Sequence, residues 1–243
     1  MTLSNHFVTS DQEIMSHAVH YNNWIFNLAE TYLGQHVLEI GAGIGNISKK
    51  ILAHPNVEKL TIVEIDPVCI EKHKINFNLS QNTNALLKIK YIQRDIANIS
   101  LPANEFDTVI CINVLEHVVE EDKALRNIYE GLCPGGFGVF LVPAFECLKG
   151  SIDKELGHYR RYNKNIIKNL LYNAGFKIIN MRFYNVMGFL GWFLRFRILK
   201  ARSQSKQQVI FFDKYIFPFQ NIVEKFTPWQ PIGQSLFFAV QKS

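Results

Sequence analysis

The regular alternation of short apolar runs with helical patterns between residues 36 and 142 constrains the fold of this chain more than any other feature. Each apolar run has the length and composition of a buried strand, and the segments between the runs repeat apolar residues at helical spacing. Strands are predicted at HVLEI (36–40), LTIVEI (60–65), KIKYIQ (88–93), FDTVICI (106–112) and GFGVFLV (136–142), and helices at 46–54, 67–79 and 115–132. This order predicts right-handed strand–helix–strand units and a parallel sheet covered on both faces.

The pattern continues on both sides of this region. Residues 13–32 repeat apolar groups at a helical period, which predicts an amphipathic helix before the first strand. Apolar residues from Ile166 to Ala174 predict a further helix that ends at Gly175. Strands are then predicted at FKIINMRFY (176–184) and at SLFFAVQK (235–242).

An aromatic-rich insertion, residues 185–232, interrupts the alternation before the last strand. Residues 183–238 contain 15 of the 31 aromatic residues of the chain, and such crowding has two explanations. The insertion is either a helical subdomain packed on the edge of the sheet, or a lid over a hydrophobic substrate pocket that touches a membrane surface. The basic residues available for such a surface are Arg195, Arg197, Lys200 and Arg202.

Length, charge and cysteine content exclude several classes of protein. The 243 residues contain no linker-like stretch, so we expect a single domain over 1–243. The formal charge of +5 comes from dispersed residues and forms no basic stripe, which disfavours a nucleic-acid partner. The four cysteines and the scattered histidines show no ligand spacing, so no metal site is expected. The N-terminus lacks a signal peptide, and the stretch at 186–199 is too short to span a membrane.

The stretch VLEIGAGIGN (37–46) places Gly41, Gly43 and Gly45 directly after the first predicted strand. In a parallel sheet this loop lies where ligands bind, and glycine lets a ligand lie against the main chain. A dinucleotide site prefers its third glycine at the position that Asn46 occupies here. Glu39, two residues before the first glycine, suits a ligand with a cationic amino acid end. A nicotinamide cofactor nevertheless remains an alternative at this point.

Glu64 lies at the tip of the second predicted strand, in VEIDP. A carboxylate at this position can accept hydrogen bonds from both hydroxyl groups of a ribose, in NAD and in S-adenosylmethionine sites alike. Glu64 therefore indicates a nucleoside ligand without choosing between the two cofactors.

Together with IQRDI (92–96) and FDTVICINVLEHV (106–118), these motifs make the chain resemble the class I S-adenosylmethionine-dependent methyltransferases, of the bacterial small-molecule type. The resemblance covers about residues 12–185 and the last strand, with the motifs in the order and spacing of the family. It implies a three-layer α/β Rossmann-like fold. The sheet would have seven mostly parallel strands with an antiparallel last strand, and an N-terminal helix (12–34) would act as a cap. The implied cofactor is S-adenosyl-L-methionine, with S-adenosyl-L-homocysteine as product.

The resemblance also implies roles for individual residues. Glu39, Asn113 and the glycine loop, including Ala42 and Asn46, would hold the methionine end of the cofactor. Glu64 would bind the ribose and Ile65, Asp95 and Ile96 would border the adenine. Tyr21 and Trp24 would lie on the helix that closes over the cofactor.

Candidate groups for the acceptor side follow the fourth and fifth strands. His117, His158 and Tyr159 are predicted to act as general base or to orient the acceptor. Arg160 and Arg161 offer paired guanidinium groups for a phosphate or carboxylate of the substrate, or else form ion pairs with Asp153 or Glu155.

The function predicted from the sequence is methyl transfer, to oxygen rather than nitrogen, on a small-molecule, lipid-linked or sugar-linked acceptor. Polymer-modifying activities are disfavoured because no Asn-Pro-Pro-Tyr-like stretch follows the fourth strand. The alternatives are a nicotinamide-dependent oxidoreductase and a non-catalytic cofactor-binding scaffold. We expect a cytoplasmic protein with peripheral contact to the inner membrane, and no sequence feature indicates an oligomeric state.

Overall fold

A computed structural model describes residues 10–78, 88–193, 205–219 and 231–243. Its centre is a seven-stranded sheet in the order β3-β2-β1-β4-β5-β7-β6. The strands are β1 (His36–Ile40), β2 (Lys59–Glu64), β3 (Ile89–Gln93), β4 (Phe106–Ile112), β5 (Leu132–Pro143), β6 (Phe176–Tyr184) and β7 (Ser235–Lys242). Strands β1 to β5 pair in parallel, whereas β7 is antiparallel to both β5 and β6. The predicted fold class is confirmed.

Helices connect the strands and cover the sheet. They are α1 (Val19–Glu30), α2 (Ser48–Ala53), α3 (Pro67–Asn78), α4 (Glu121–Gly131), α5 (Ser151–Leu156), α6 (Lys164–Asn173), α7 (Val186–Trp192) and α8 (Lys206–Phe211). Helix α6 begins where the Asn163 side chain accepts a hydrogen bond from the Ile166 N–H, and it is followed by Gly175 in a left-handed conformation. This helix and its end agree with the prediction from the sequence.

The core lies on both faces of the sheet because successive strand residues point to opposite sides. In β4, Val109 and Cys111 pack on one face with the buried residues of α4 and α6. Ile110, between them, packs on the other face with α1 and α2. All three side chains are almost fully buried. This arrangement explains why the strand sequences are continuously apolar instead of alternating.

The prediction of one continuous helix over residues 13–32 is wrong, because the structure divides this segment into two helices. Residues 10–15 form one helical turn, and the chain then breaks before α1. The N–H groups of His20 and Tyr21, in the first turn of α1, donate to the two oxygens of Asp213 at 3.0 and 2.8 Å. A carboxylate 192 residues away therefore caps α1, because Ala18 at the N-cap position has no side-chain acceptor.

The helix predicted over residues 115–132 is also divided. A 3₁₀ turn, Leu115–His117, follows β4, and Val118 then adopts an extended conformation before α4 begins at Glu121. This division places Glu116 and His117 on a separate turn at the carboxyl edge of the sheet.

The described part of the insertion packs against α1. Helix α8 continues into a π-helical segment, Phe212–Ile216, and Phe217 is fully buried against Tyr21 and Trp24. Arg195, Arg197, Lys200 and Arg202, which the sequence suggested for a membrane surface, lie outside the described residues. Among the described helices, none is long and apolar enough to cross a membrane.

Candidate functional site

The site lies where the strand order of the sheet reverses. From β1 the chain proceeds outward to β2 and β3, and it then returns to place β4 on the other side of β1. The loops after β1 and β4 therefore diverge and leave a crevice at their carboxyl ends, which is where open α/β sheets bind ligands. Gly41, Gly43 and Gly45 follow β1, and Asn113 follows β4.

The main chain of these two loops adopts left-handed conformations. Gly41, Gly43 and Gly45 have φ values of +68°, +55° and +91°. Asn113 has φ +53°, which is unusual for a residue with a side chain and is concentrated at functional sites. A Cβ atom at Gly41 would clash with the branched Val114 side chain, and one at Gly45 would lie 2.9 Å from the His73 and Phe77 rings. The glycines are therefore required both by conformation and by close approach.

Glu39 is buried beneath the start of the loop. Burial raises its pKa to about 7, against a hydrogen bond from Ser48, and one carboxylate oxygen, Oε2, has no hydrogen-bond partner in the described part of the chain. An unpaired buried carboxylate oxygen is costly unless a ligand donates to it. Glu39 therefore suits a cationic group placed at the loop.

Glu64 lies at the tip of β2 and joins the loop to the neighbouring strand. Its Oε2 accepts from the Gly43 N–H at 2.9 Å, and its Oε1 accepts from the N–H groups of Ile65 and Asp66 at 2.9 and 3.1 Å. Burial raises the pKa of Glu64, and these three N–H groups oppose that effect. The carboxylate is thus fixed in position beside the glycine loop.

The residues assigned to the adenine differ in their surroundings. Ile65 has 64% of its surface exposed, which leaves an apolar side chain available beside Glu64. Asp95 is half-buried and accepts from the Ala97 N–H and the Asn98 side chain, both at 2.9 Å. The Ile96 side chain is buried in the core, so only its main chain can border a ligand. Their adenine contacts stay a prediction.

A cavity of about 430 Å³ extends from the glycine loop to the turn after β4. Gly41, Ala42, Asn46 and Asn113 line the end of the cavity next to the glycine loop. Tyr21 also lines it, and its hydroxyl group is hydrogen-bonded to Asn113. Burial raises the pKa of Tyr21 to about 12, with further contributions from Glu116 and Asp11, so the phenol is neutral.

Trp24 lies one helical turn from Tyr21 but has a different environment. It is 7% exposed and packs against Tyr184 and Phe217 in the core, with ring centroids 5.6 Å from each. It is not among the residues that line the cavity. The structure thus gives Trp24 a packing role, and its predicted contact with the cofactor has no support from this geometry.

Glu116, His117 and His158 form a cluster at the other end of the cavity. One ligand-type atom from each residue lies within 4.8 Å of the others, and the two imidazole centroids are 4.6 Å apart. Glu116 is 1% exposed, and burial raises its pKa to about 7. Burial, together with His158, lowers the pKa of His117 to about 3, so this imidazole is neutral.

Asp153 orients His158 from behind. Its Oδ1 lies 2.8 Å from His158 Nδ1, and both of its oxygens accept from the Arg161 guanidinium, at 2.8 and 3.1 Å. Burial alone would raise the pKa of Asp153, but the hydrogen bonds from His158 and Arg161 and the charge of Arg161 hold it at about 2. The carboxylate is therefore ionised and fixes the His158 ring.

The remaining acceptor-side candidates are engaged elsewhere. Arg161 lines the cavity, but its guanidinium forms the buried ion pair with Asp153 that the sequence offered as an alternative. Arg160 pairs with Glu121 at 2.8 Å, and Tyr159 is 54% exposed and is not among the cavity residues. Substrate binding by Arg160 and Arg161, and catalysis by Tyr159, remain predictions.

The insertion supplies much of the far wall of this cavity. The wall includes Trp192, Gln208, Val209, Phe212 and Phe217, and the facing side carries Met15 and Ile25. The described part of the insertion thus packs on α1 and also lines the pocket, whereas its role as an edge subdomain or as a lid stays a prediction.

Comparisons with known proteins agree with this geometry. Residues 38–140 match the protein family described as Methyltransferase domain. A ubiquinone/menaquinone biosynthesis C-methyltransferase of Cronobacter sakazakii is 24% identical over 205 residues, 72% of this chain and 80% of that protein. A ubiquinone biosynthesis O-methyltransferase of Coxiella burnetii is 30% identical over 106 residues, 44% of this chain and 42% of that protein. The chain thus spans less than half the length of this second relative.

Solved structures share the fold. Phosphoethanolamine N-methyltransferase 2 of Haemonchus contortus, in complex with S-adenosyl-L-methionine, has a TM-score of 0.61 at 19% identity, over 90% of this chain and 52% of that chain. Residues 38–140 form a methyltransferase domain, and the protein is an S-adenosylmethionine-dependent methyltransferase. The methyltransferase uses S-adenosyl-L-methionine. The alternative prediction, a nicotinamide-dependent oxidoreductase, is therefore wrong.

The residues of the methyltransferase fit this cofactor. The unpaired Glu39 oxygen suits the ammonium group of its methionine end, and three of the five loop residues beside it, Gly41, Gly43 and Gly45, carry no Cβ atom. The Glu64 carboxylate stands one strand away, where a ribose would lie. When bound, the cofactor supplies an electrophilic methyl group on a sulfonium sulfur.

Sequence reasoning missed several residues of the methyltransferase site. Asp11, Gln12 and Asn22 line the cavity from the N-terminal segment, and Asp213 lines it from the insertion. Burial raises the pKa of Asp11 to about 6, against the charge of His158. A polar residue on an amphipathic helix ordinarily faces solvent, so no signal in the sequence marked these positions.

His73 supports the glycine loop from below and is buried without charge. Its ring stacks on Phe77. Its Nδ1 is hydrogen-bonded to the Tyr91 hydroxyl group at 2.8 Å, and its Nε2 to the Ser48 hydroxyl group at 2.9 Å. A Cβ atom at Gly45 would lie 2.9 Å from the ring. Burial, aided by the charge of Lys49, lowers its pKa from 6.5 to about 4. The folded methyltransferase therefore excludes a proton that the unfolded chain binds between these pH values.

This proton linkage gives a prediction for His73→Gln. The stability of the wild type relative to the variant should rise by roughly 3 kcal/mol from pH 4 to pH 6.5 and stay constant above that range. Urea unfolding of both proteins at a series of pH values measures this difference in the free energy of unfolding. Titratable groups that the two proteins share contribute equally to both values and cancel in the difference. Parallel stability curves would show that His73 is not buried in its neutral form.

Proposed function

We propose that this methyltransferase transfers the methyl group to a hydroxyl oxygen of a small acceptor that also carries an apolar part. The observation that carries the proposal is the cavity itself, which joins the cofactor loop to the Glu116, His117 and His158 cluster. The polar groups lie at the carboxyl edge of the sheet, and the apolar wall comes from α1 and the insertion. An amphiphilic acceptor matches this division.

Methyl transfer depends more on the alignment of the acceptor oxygen with the methyl group than on a strong general base. The acceptor oxygen forms a bond to the methyl carbon, the carbon–sulfur bond breaks with its electron pair staying on sulfur, and the hydroxyl proton passes to solvent. Holding the two reactants in line is equivalent to an effective concentration of about 10⁵ to 10⁸ M. The cavity supports such alignment because it joins the glycine loop to the Glu116, His117 and His158 cluster.

His158 is the residue that we assign to positioning the acceptor hydroxyl. Because Asp153 holds Nδ1, Nε2 is the nitrogen that remains available to the acceptor hydroxyl. His117 and Glu116 face the same end of the cavity, so the acceptor oxygen lies among three polar groups.

The choice of an amphiphilic acceptor has support from the names of the relatives, whereas the choice of oxygen depends on the polar groups of the cavity. Two relatives are named for ubiquinone biosynthesis, one as a C-methyltransferase and one as an O-methyltransferase. The neutral imidazole of His117 and the two carboxyl groups, Asp11 and Glu116, favour a hydroxyl acceptor over an anionic one. We therefore propose a hydroxylated ring with an apolar chain.

The exposed surface of the insertion supports access to such an acceptor from a lipid surface. Phe211, Tyr215 and Phe219 are 57%, 53% and 64% exposed and recur at intervals of four residues, with Lys206 and Lys214 beside them. Aromatic side chains flanked by lysines are typical of helices that lie in the membrane interface. Peripheral membrane contact is thus part of the proposal.

The test uses the full chain, S-adenosyl-L-methionine with a labelled methyl group, and hydroxylated aromatic acceptors with and without an apolar chain. Long-chain acceptors are supplied in anionic phospholipid vesicles and short-chain acceptors in buffer. We expect an O-methyl product by NMR, and we expect Phe211→Ser to slow only the vesicle reaction. Methylation of carbon or nitrogen would overturn the oxygen assignment, and equal vesicle rates in the two proteins would overturn the membrane contact.

A further inference from the structure

The Glu116, His117 and His158 cluster has the composition of a metal-ligand set that the sequence did not reveal. One carboxylate and two imidazoles come together from the turn after β4 and the loop after α5. Donor atoms around a metal ion at about 2.1 Å lie about 3 to 4 Å apart, and those of the cluster lie within 4.8 Å. Small side-chain rotations would bring all three onto one ion.

Glu116 provides independent support for a ligand at this place. Its side chain is 1% exposed, and neither carboxylate oxygen has a hydrogen-bond partner of standard geometry within the described residues. A buried carboxylate without partners costs several kcal/mol, so such a group is kept where a cation completes it. The imidazoles of His117 and His158 lie beside it, and the charge of Arg161 also acts on it, although the Arg161 guanidinium is held by Asp153.

Asp153 gives His158 the orientation of a metal-binding histidine. The Asp153 carboxylate holds the proton on Nδ1 at 2.8 Å, which leaves the lone pair of Nε2 for the cluster. Arg161 and the Gly150 N–H fix Asp153 in turn, at 2.8 Å each. A carboxylate behind a histidine is the usual second layer of a metal site, since it sets both the tautomer and the ring orientation.

From this geometry we infer that Glu116, His117 and His158 bind a divalent first-row transition metal ion that holds the acceptor hydroxyl group. Two imidazoles favour Zn²⁺, Fe²⁺ or Co²⁺ over Mg²⁺ and Ca²⁺, which prefer oxygen ligands alone. Three protein ligands leave coordination positions open, and these face the cavity lined by Tyr21 and Asn113.

This inference rests on the proposed O-methylation and deepens it. A divalent ion lowers the pKa of a bound hydroxyl group as it does that of bound water, so the acceptor loses its proton to solvent water before it attacks. The oxygen then bonds to the methyl carbon while the carbon–sulfur bond breaks, and the metal keeps its charge throughout. His158 would therefore position the acceptor through the ion.

The experiment measures Co²⁺ binding to the full chain after treatment with a chelator, without cofactor or acceptor. We expect binding of one ion per chain, with the visible absorption bands of Co²⁺ coordinated by nitrogen and oxygen. Glu116→Gln and His158→Ala should each weaken binding by at least about 100-fold, and Asp153→Asn by about 10- to 100-fold. His54→Ala, which lies outside the cluster, serves as the control, and circular dichroism checks the fold of each variant.

Two results would overturn the inference: no coordination spectrum in the wild type, or a wild-type spectrum retained in folded Glu116→Gln and His158→Ala. Because binding is measured without turnover, neither result depends on the methyl-transfer assay. Conversely, O-methylation that persists after complete removal of metal would leave the proposed function intact and exclude the ion from it.

Discussion

Replacing Glu64 with alanine is expected to weaken binding of S-adenosyl-L-homocysteine by at least about 100-fold. The variant would lose two charge-assisted hydrogen bonds to the ribose, each of which contributes about 1.5 to 3 kcal/mol. It would also leave the N–H groups of Gly43, Ile65 and Asp66 without their acceptor, so the glycine loop would lose its fixed position. Isothermal titration calorimetry measures the affinity directly.

Two further variants separate the ribose contact from loss of loop structure. Glu64→Gln keeps an oxygen for the loop N–H groups but removes the charge, and we expect an intermediate affinity. Glu71→Ala removes an exposed carboxylate of α3, which pairs only with nearby Lys74 in the described structure, and should leave affinity unchanged. If Glu64→Ala bound the product as tightly as the wild type, Glu64 would have no part in the cofactor site.

The positions of the glycine loop and of Glu64 could be predicted from the sequence because the determinants of these positions are local. Gly41 to Gly45 directly follow β1, and Glu64 ends β2, so their placement depends only on the strands being parallel and adjacent. A strand, a tight loop and the next strand can be identified from apolar runs and glycine spacing. The seven strands were therefore predicted together with the edge at which the ligand binds.

The acceptor half depends on contacts between distant parts of the chain. His117 and His158 were each recognised as candidates, but they are 41 residues apart, and their packing with Glu116 required the division of the predicted helix 115–132. Histidine spacing in the sequence therefore argued against a metal site. The three-dimensional cluster favours one.

Helix α1 shows a similar limit. Its periodicity placed Tyr21 and Trp24 on one helix, yet only Tyr21 lines the cavity, since Phe217 and Tyr184 cover Trp24. The break before α1 is stabilised by Asp213 from the insertion. Local propensity predicts a continuous helix there, but the hydrogen bonds to Asp213 stabilise a new helix start at this point.

Replacing His158 with alanine is expected to reduce kcat by about 10²- to 10³-fold while leaving the affinity for S-adenosyl-L-homocysteine unchanged. The ring lies at the acceptor end of the cavity, beside His117, whereas the cofactor contacts lie at the glycine loop. Loss of a positioning or proton-accepting side chain commonly costs this much in rate. Steady-state rates with the acceptor found in the transfer assay, together with calorimetry, measure the two quantities separately.

The control and the rescue distinguish positioning from structural support. His54→Ala removes a histidine that packs on Phe26, away from the cavity, and should keep the wild-type rate. Imidazole added to His158→Ala should restore part of the rate, because the space left by the ring is enclosed by Asp153 and His117 and can hold the free base. Equal losses of cofactor affinity and rate, without rescue, would instead mean that His158 serves the Asp153–Arg161 ion pair and the fold of its loop.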